Sequence, residues 1–264
     1  MLDRQAEMRL MLRALRLPAI AAVYEDLAIK AAKANLTHEE FLYELLRAEC
    51  LQRDEHRVAR LLRLSALPPD KTFRTLQLDR FPPLIRQQLE RLRSGTFLDD
   101  AINVVAAGKP GVGKSHALAA IGHELVLQGH QVLWTPTASL VQELLAAKRD
   151  LRLPQVLAKL DRFECVFLDD IGYVQHDRDE MEVLFTFLAE RYERRSVAIS
   201  ILWNQKSTSF PQQIRHELVD SSVDVDRSAL SSWFKVARES LAQSRTSGRS
   251  ADREPTSPLI PVCG

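Results

Sequence analysis

One eight-residue segment has the composition of a phosphate-binding loop. It reads Gly108-Lys109-Pro110-Gly111-Val112-Gly113-Lys114-Ser115, which fits the pattern Gly, four free positions, Gly-Lys-Ser/Thr. The glycines permit a tight turn whose backbone N–H groups converge on phosphate oxygens. Lys114, expected to be a surface cation, would neutralise the β- and γ-phosphates, and the Ser115 hydroxyl would ligate Mg²⁺. The loop, with His116 after it, therefore predicts a site for ATP and Mg²⁺.

The segments on either side of this loop fit what phosphate binding requires. An apolar run over 102–107 predicts a buried strand that leads into the glycines, and a helix-period stretch over 114–128 follows. A helix that begins at the loop directs the positive end of its dipole at the phosphates. The alternative is a glycine-rich turn that binds nothing, but such a turn does not need Lys-Ser after its last glycine.

A second strand ends in two carboxylates, Asp169 and Asp170, after the apolar run 165–168. In a parallel sheet, the carboxyl end of that strand lies at the same edge as the phosphate loop. We therefore expect Asp169 to hold Mg²⁺ through its water shell and Asp170 to polarise the attacking water. An acidic pair at a strand end is weak evidence alone and becomes specific only downstream of such a loop.

Phosphoryl transfer also profits from a cation aimed at the γ-phosphate. Arg191, Arg194 and Arg195 lie at the end of the helix predicted after the carboxylates. In ATPases that form rings or filaments, such arginines complete the site of a neighbouring subunit, and we expect Arg191 or Arg194 to do so. Basic residues that merely complement the helix dipole look the same. Ser200 and Asn204 are the candidate γ-phosphate sensors.

Strands and helices alternate between residues 99 and 205. The predicted strands are 102–107, 131–135, 164–168 and 196–202, and the predicted helices are 114–128, 138–149, 154–162 and 178–194. That alternation predicts an α/β fold of the P-loop NTPase type, in which helices cover both faces of a parallel sheet.

The rest of the chain divides around this core. Residues 1–66 have helical periodicity and predict an all-α module of three helices, the third beginning at a Thr-x-x-Glu capping box at Thr37. Residues 67–98, with two Pro-Pro pairs, are interpreted as a structured connector. Residues 206–243 are interpreted as a divergent or degraded lid, and residues 244–264 as a disordered tail.

The third predicted helix becomes basic along its length. Arg53, Arg57 and Arg60 share one helix face, and Arg63 continues it. Such a stripe could follow the phosphate backbone of double-stranded DNA. A solvated helix face looks the same, and two acidic residues interleave with the arginines, so the stripe leaves both interpretations open.

The composition predicts a cytoplasmic protein without a membrane partner. The 264 residues carry a net charge of only +1, so DNA contact would depend on local clusters of charge. Cys50, Cys165 and Cys263 are too widely spaced for a disulfide framework, and Cys165 is expected in the core. Charges interrupt every apolar stretch of the first fifty residues, which argues against a signal peptide or a membrane span.

Several segments together resemble a known family. The segments are Leu15-Arg16-Leu17-Pro18, Glu39-Glu40-Phe41-Leu42, the phosphate loop, Phe167-Leu168-Asp169-Asp170-Ile171-Gly172-Tyr173, Asp177-Arg178-Asp179-Glu180 and Glu190-Arg191-Tyr192-Glu193-Arg194. From about residue 8 to 198 the chain is similar to the IstB-like ATP-binding proteins. These are AAA+ helper ATPases of insertion-sequence transposition, similar in turn to DnaC-type helicase loaders.

The resemblance implies ATP and Mg²⁺ at Lys114 and Ser115, hydrolysis served by Asp169 and Asp170, and an arginine acting in trans. It also implies a helical N-terminal region that contacts DNA or a transposase, ATP-dependent self-assembly on target DNA, and delivery of that DNA to the transposase.

Two other functions stay open. One is a helicase loader in DNA replication, with a replicative helicase as partner. The other is a small-molecule P-loop kinase, which is disfavoured because the chain has a helical arm where a kinase needs an acceptor pocket.

After Val197 the sequence departs from the usual pattern of that family. The strand ends Ser200-Ile201-Leu202, where the family usually shows Thr-Ser-Asn, and Asp226-Arg227 is a remnant of the pair that opens the family's lid. We interpret the last third as divergent or frame-shifted, and we expect ATP binding with impaired hydrolysis.

Overall fold

The amino-terminal part of the chain folds into three helices in a computed structural model that describes residues 4–171 and 178–202. These helices are α1 (Arg4–Ala14), α2 (Pro18–Ala34) and α3 (His38–Ser65). The capping box is present: the Thr37 hydroxyl accepts the N–H of Glu40 at 3.2 Å, and the Glu40 carboxylate accepts the N–H of Thr37 at 2.7 Å. The prediction of three helices is confirmed.

The start of α2 is capped by a side chain from α3. The first helical residue, Pro18, has no N–H, and the residue before it offers no side-chain acceptor. Glu49 is only 4% exposed and accepts the N–H groups of Ala19 at 2.9 Å and Ile20 at 3.2 Å. Its other oxygen accepts Nε of Arg53 at 2.9 Å. Burial alone would raise the pKa of Glu49, but these hydrogen bonds outweigh it and hold the pKa below its ordinary value.

Replacing Glu49 by alanine should lower the free energy of unfolding by about 2 kcal/mol, because two buried backbone donors lose their acceptor. Urea denaturation followed by circular dichroism measures the change. The matched control is Glu44→Ala on the same helix. The Glu44 side chain is 41% exposed and lies 3.6 Å from Arg47, so its loss should cost less than about 1 kcal/mol.

The same substitution has a predicted pH dependence. The folded-state pKa of Glu49 is lowered, so its stabilisation is complete above the unfolded-state pKa and is lost as pH falls through the folded-state pKa. The difference in free energy of unfolding between the parent protein and Glu49→Ala should therefore decrease as the pH is lowered. Equal stability of the two proteins at pH 7 would contradict the capping role.

Four parallel strands form one sheet in the order β1-β4-β3-β2. They are β1 (Val104–Gly108), β2 (Val132–Pro136), β3 (Cys165–Asp169) and β4 (Ser196–Leu202). The helices that follow α3 are α4 (Pro83–Arg93), α5 (Lys114–Leu127), α6 (Thr137–Arg149), α7 (Leu153–Leu160) and α8 (Arg178–Arg191). The predicted α/β P-loop NTPase fold, a parallel sheet flanked by helices, is confirmed.

Alternate residues of each strand enter two separate hydrophobic layers. On one face, Val104 and Phe167 pack with residues of α4, α5 and the end of α3. On the other face, Val105 and Val166 pack with residues of α6, α7 and α8. Cys165 is fully buried, as predicted, and burial raises the pKa of its thiol to about 12. Both faces of the sheet are therefore covered, which fixes the strand ends that carry the site.

The predicted connector, 67–98, packs onto the sheet instead of linking two separate bodies. It contains α4 and two short 3₁₀ turns at 78–80 and 96–98. Its buried apolar residues join the same layer as α5: Leu67, Leu76, Ile85, Leu89, Leu92 and Phe97. This segment therefore supports the helix that follows the phosphate loop.

Within residues 4–171 and 178–202, none of the helices combines the length and the apolar character needed to cross a lipid bilayer. The predicted lid (206–243), the predicted tail (244–264) and Cys263 lie outside the described residues.

Candidate active site

The phosphate loop connects β1 to α5, and its geometry explains two of its glycines. Gly111 has a φ of +79° and Gly113 a φ of +95°, in the left-handed region that side chains disfavour. A Cβ on Gly113 would also lie 3.0 Å from the ring of Phe81. The turn therefore requires glycine at both positions, while Lys109, Pro110 and Val112 beside them are exposed at the surface.

Lys114 folds back over the loop. Its ammonium donates to the carbonyl oxygens of Gly108 and Lys109, both at 2.9 Å, and the residue is only 8% exposed. The expectation of a surface cation is therefore wrong, because the loop carbonyls draw the side chain inward. Burial lowers the pKa of Lys114, and the nearby charges of Asp170 and Asp169 oppose that shift only in part. A bound phosphate would replace the two carbonyls as acceptor.

Asp169, at the end of β3, lies at the centre of a group of hydroxyls. Its Oδ1 accepts Ser115 Oγ and Ser200 Oγ, both at 2.6 Å. Ser200 Oγ in turn accepts the N–H of Asp170 at 2.7 Å, and Thr137 Oγ1 donates to the carbonyl of Asp169 at 2.9 Å. The structure thus joins the phosphate-loop helix, β3 and β4 through one carboxylate.

These oxygen atoms fit the chemistry of Mg²⁺. Mg²⁺ prefers oxygen ligands and keeps several of its waters in protein sites. Ser115 Oγ and Asp169 Oδ1 are 2.6 Å apart, so both lie within reach of one ion or its water shell. The residues that would hold Mg²⁺ are the two predicted from the sequence, with Ser200 beside them.

Ser200 is a site residue for which the sequence offered no specific motif. It is 2% exposed and lies in β4 opposite Ala106 of β1. A single hydroxyl within the apolar run from 197 to 202 was the available signal, because a buried polar group needs partners. The other sensor candidate, Asn204, lies outside the described residues.

A cleft of about 350 Å³ opens over the loop and the two carboxylates. Asp170 lines it after a left-handed turn of the backbone, with a φ of +58°. Lys71, from the segment 67–98, lines the same cleft. No sequence pattern pointed to Lys71, because only the tertiary packing of its segment brings it to the phosphate loop.

His116 lines the cleft but directs its ring nitrogen to the segment 67–98. Its Nε2 lies 3.1 Å from Thr75 Oγ1 and 3.2 Å from the carbonyl oxygen of Thr72. About two turns further along the same face of α5, His123 Nε2 lies 2.9 Å from the carbonyl oxygen of Pro68. Two histidines of α5 therefore hold this segment beside the phosphate loop.

Arg191 does not have the geometry of an arginine that acts on another subunit, and that part of the sequence prediction is wrong. The residue is 2% exposed, and its guanidinium donates to the carbonyl oxygens of Leu160 at 2.9 Å, Phe163 at 2.8 Å and Ser196 at 3.0 Å. Burial lowers the pKa of Arg191 to about 10. Arg191 therefore ties α8 to the loop before β3.

The other two arginines, Arg194 and Arg195, lie beyond the end of α8. This helix ends at Arg191 and not at 194 as predicted, because Glu193 takes a left-handed φ of +58°. The Arg194 side chain is 60% exposed and pairs with Asp161 at 3.0 Å. Arg195 is exposed, and its side chain makes no hydrogen bond or ion pair with the described part of the chain. Both arginines are sterically available to another molecule.

Two members of the basic stripe on α3 have partners within the chain. Arg53 pairs with Glu49 and donates to the carbonyl oxygen of Arg16 at 2.7 Å, so it fastens the turn between α1 and α2. The Arg57 guanidinium lies against Gly129, where a Cβ would collide with it. Both side chains nonetheless belong to exposed residues.

The other two members lie further along the same helix. Arg63 donates to the carbonyl oxygen of Ala59 at 3.3 Å. Arg60 is exposed and forms no hydrogen bond or ion pair with residues 4–171 or 178–202. DNA contact by the stripe stays a prediction.

Comparison with known proteins gives one consistent family. The sequence model described as IstB-like ATP binding protein matches residues 10–213. An insertion sequence ATP-binding protein of Sinorhizobium fredii is 38% identical over 197 residues, which are 74% of this chain and 66% of that protein. The insertion sequence IS21 ATP-binding protein of Pseudomonas aeruginosa is 32% identical over 194 residues, 74% of this chain and 73% of that protein.

Among solved structures, the DnaC helicase loader has 18% sequence identity and a TM-score of 0.44, covering 53% of this chain and 83% of that one. The family match extends over most of the sequence and includes the phosphate loop and both carboxylates. The chain therefore belongs to the family of IstB-like ATP-binding proteins.

Proposed function

We propose that this protein is an ATP-hydrolysing helper of DNA transposition. It binds ATP with Mg²⁺, assembles with further copies of itself on double-stranded DNA, and presents that DNA to a transposase. The observation that carries the proposal is the contact of Ser115 and Ser200 with Asp169 at the mouth of the phosphate loop. Family membership supports ATP binding, and these contacts support the step beyond binding.

The residues of the cleft have different roles in hydrolysis. Loop amides and the Lys114 ammonium bind the phosphate oxygens, and Ser115 and Asp169 are the residues that would hold Mg²⁺. When bound, Mg²⁺ neutralises charge that develops on the phosphate oxygens. Asp170 lines the cleft and its backbone N–H donates to Ser200, and we assign to its carboxylate the role of accepting a proton from the attacking water.

A direct test of this function is phosphate release from ATP by the full chain, with and without duplex DNA. We expect ATP-dependent turnover that DNA stimulates. The sequence after β4 departs from the family pattern, so we also expect the rate to lie below that of an intact relative. Equal DNA-stimulated rates would overturn that second expectation, and no release under any condition would overturn the hydrolytic function.

Self-assembly would complete the site in trans. Arg194 is the remaining member of the predicted pair, and its ion pair with Asp161 lies on an exposed surface. Exposed ion pairs contribute little to stability, so a neighbouring γ-phosphate can compete for this guanidinium. We propose Arg194, with Arg195 beside it, as the cation offered to the next subunit.

The Arg57→Ala, Arg60→Ala double variant should bind duplex DNA more weakly in the presence of a non-hydrolysable ATP analogue. Each arginine–phosphate contact contributes about one unit to the slope of log affinity against log salt, so losing both should reduce that slope by about two units. Fluorescence anisotropy with a labelled duplex over about 50 to 200 mM salt measures both quantities. Arg47→Ala, on another face of α3, is the matched control and should bind as the parent does. Unchanged affinity and slope in the double variant would place the DNA surface elsewhere.

The helical module also presents apolar side chains that suit a protein partner. Met8 and Met11 lie on one face of α1, Leu15 follows in the turn directly after that helix, and all three are exposed. Leu42 and Leu46, one turn apart on α3, are exposed as well. Exposed apolar residues in groups mark interaction surfaces. We propose the transposase as the partner, and selective co-purification with a replicative helicase would instead identify a helicase loader.

A further inference from the structure

We infer that Lys71 is a second phosphate-binding cation of the nucleotide site, and that bound nucleotide thereby fastens the segment 67–82 onto the phosphate loop. The inference rests on the proposed nucleotide binding and adds to it a residue from outside the loop. It also gives the nucleotide a direct contact with the stretch of chain that begins where α3 ends.

The cleft itself supplies the first observation. Lys71 lines it together with Lys114, Ser115 and Asp169, although it lies 43 positions before Lys114 in the sequence. The residue is half-buried, and its ammonium makes no hydrogen bond or ion pair with the described residues. A lysine that lines a phosphate site, and whose ammonium has no such partner among the described residues, can form charge-assisted hydrogen bonds with a polyphosphate.

The backbone around Lys71 is held in place from α5. Its N–H donates to the carbonyl oxygen of Pro68 at 3.3 Å, and that same oxygen lies 2.9 Å from His123 Nε2. The next residue, Thr72, places its carbonyl oxygen 3.2 Å from His116 Nε2. Lys71 therefore lies between two anchors on the helix that follows the phosphate loop, and His116 is the residue directly after Ser115.

Two apolar contacts extend the attachment on either side of Lys71. Leu67 packs against Gly122 of α5, where a Cβ would lie 2.7 Å from its side chain, and the Phe81 ring covers Gly113 of the phosphate loop. α3 ends at Ser65, a few residues before Lys71. A phosphate contact at Lys71 would thus act on a short, well-packed stretch that leads directly to the helical module.

Isothermal titration calorimetry on the full chain tests the inference, with Mg-ADP and a non-hydrolysable Mg-ATP analogue as probes. Lys71→Ala should bind the ATP analogue about tenfold more weakly than the parent, the loss expected for one hydrogen bond to a charged group. Lys71→Arg keeps the charge and should retain most of the affinity. Arg74→Ala is the matched control, because Arg74 is an exposed cation of the same segment that does not line the cleft.

The fastening of the segment has its own readout in amide hydrogen exchange. ATP analogue should slow exchange over 68–81 in the parent and in Arg74→Ala, and this protection should be lost in Lys71→Ala. Thermal unfolding without nucleotide should be the same for all variants, since Lys71 makes no side-chain polar contact with the described residues.

The outcomes separate this inference from the function beneath it. If the parent binds nucleotide and Lys71→Ala binds the ATP analogue equally well, the second-cation role is overturned while the nucleotide site stands. If the parent itself binds no nucleotide, both the role of Lys71 and the proposed nucleotide binding are overturned. If Lys71→Ala binds the ATP analogue more weakly but binds ADP with parental affinity, Lys71 contacts the γ-phosphate. If it binds both nucleotides more weakly, Lys71 contacts the β-phosphate. Either result supports the inference.

Discussion

Lys114→Ala should weaken binding of Mg-ATP about a hundredfold while the domain stays folded. The ammonium lies between two loop carbonyls, both at 2.9 Å, and in the proposed site the β- and γ-oxygens of a bound triphosphate would accept its hydrogen bonds instead. Because the residue is only 8% exposed, a phosphate contact there would be poorly screened by water and worth about 3 kcal/mol. Calorimetric titration of the full chain with Mg-ATP measures the loss.

Folding has to be checked separately, because the side chain is packed in the structure. The carbonyls of Gly108 and Lys109 would lose their donor, at a cost of about 1 kcal/mol in the free energy of unfolding. The matched control is Lys30→Ala, which removes an exposed lysine of α2 that does not line the cleft and should leave affinity close to the parent value. A folded Lys114→Ala variant that binds Mg-ATP as the parent does would move the nucleotide away from this loop.

The parts of the site that depend on local sequence were predictable. A tight turn that presents amides to phosphate needs glycine at Gly111 and Gly113, and both adopt the left-handed backbone that the motif implies. The strands could be located because a buried parallel strand is a short, continuous apolar run, as in β3 and β4. Parallel topology then required Asp169 to lie at the same sheet edge as Ser115, and the two side chains are 2.6 Å apart.

The contacts that depend on distant partners were not predictable from the sequence. The sequence pattern of a basic residue in the last turn of a helix is the same whether its side chain faces solvent or the core. Arg191 faces the core because carbonyl oxygens of the loop before β3, some thirty residues earlier, need donors. Glu49 is a similar case: it looks like one more charged residue of α3, but it caps α2, 30 residues earlier in the chain. Periodicity reports which face is apolar and says nothing of such long-range hydrogen bonds.

The contact between His116 and the segment 67–98 is another long-range contact that the sequence did not predict. His116 follows Ser115 in the sequence and was expected among the nucleotide-binding residues, yet its ring nitrogen lies against Thr72 and Thr75. The contact exists because the segment 67–98 packs on α5, which its interpretation as a connector did not anticipate. Histidine at this position links the helix that follows the phosphate loop to the segment that leads from the helical module.

Asp170→Asn should bind Mg-ATP with near-parental affinity and release phosphate at least about a hundredfold more slowly, the usual contribution of a positioned general base. The substitution keeps the shape of the side chain and removes the carboxylate that would accept a proton from water. Its backbone N–H, which donates to Ser200 at 2.7 Å, is untouched, so the hydroxyl group of Ser200 should keep its contact with Asp169. Phosphate release at saturating Mg-ATP measures turnover, and calorimetry measures affinity.

The comparison with Asp169→Asn sharpens this assignment. Asp169 accepts two hydroxyls and is a residue that would hold Mg²⁺, so its loss should weaken the dependence of ATP binding on Mg²⁺ as well as turnover. Asp150→Asn, an exposed carboxylate paired with Arg152, is the matched control for loss of charge and should change neither quantity. Parental turnover in Asp170→Asn would show that another group activates the water, whereas slow turnover with intact Mg²⁺ dependence separates the base from the metal-binding carboxylate.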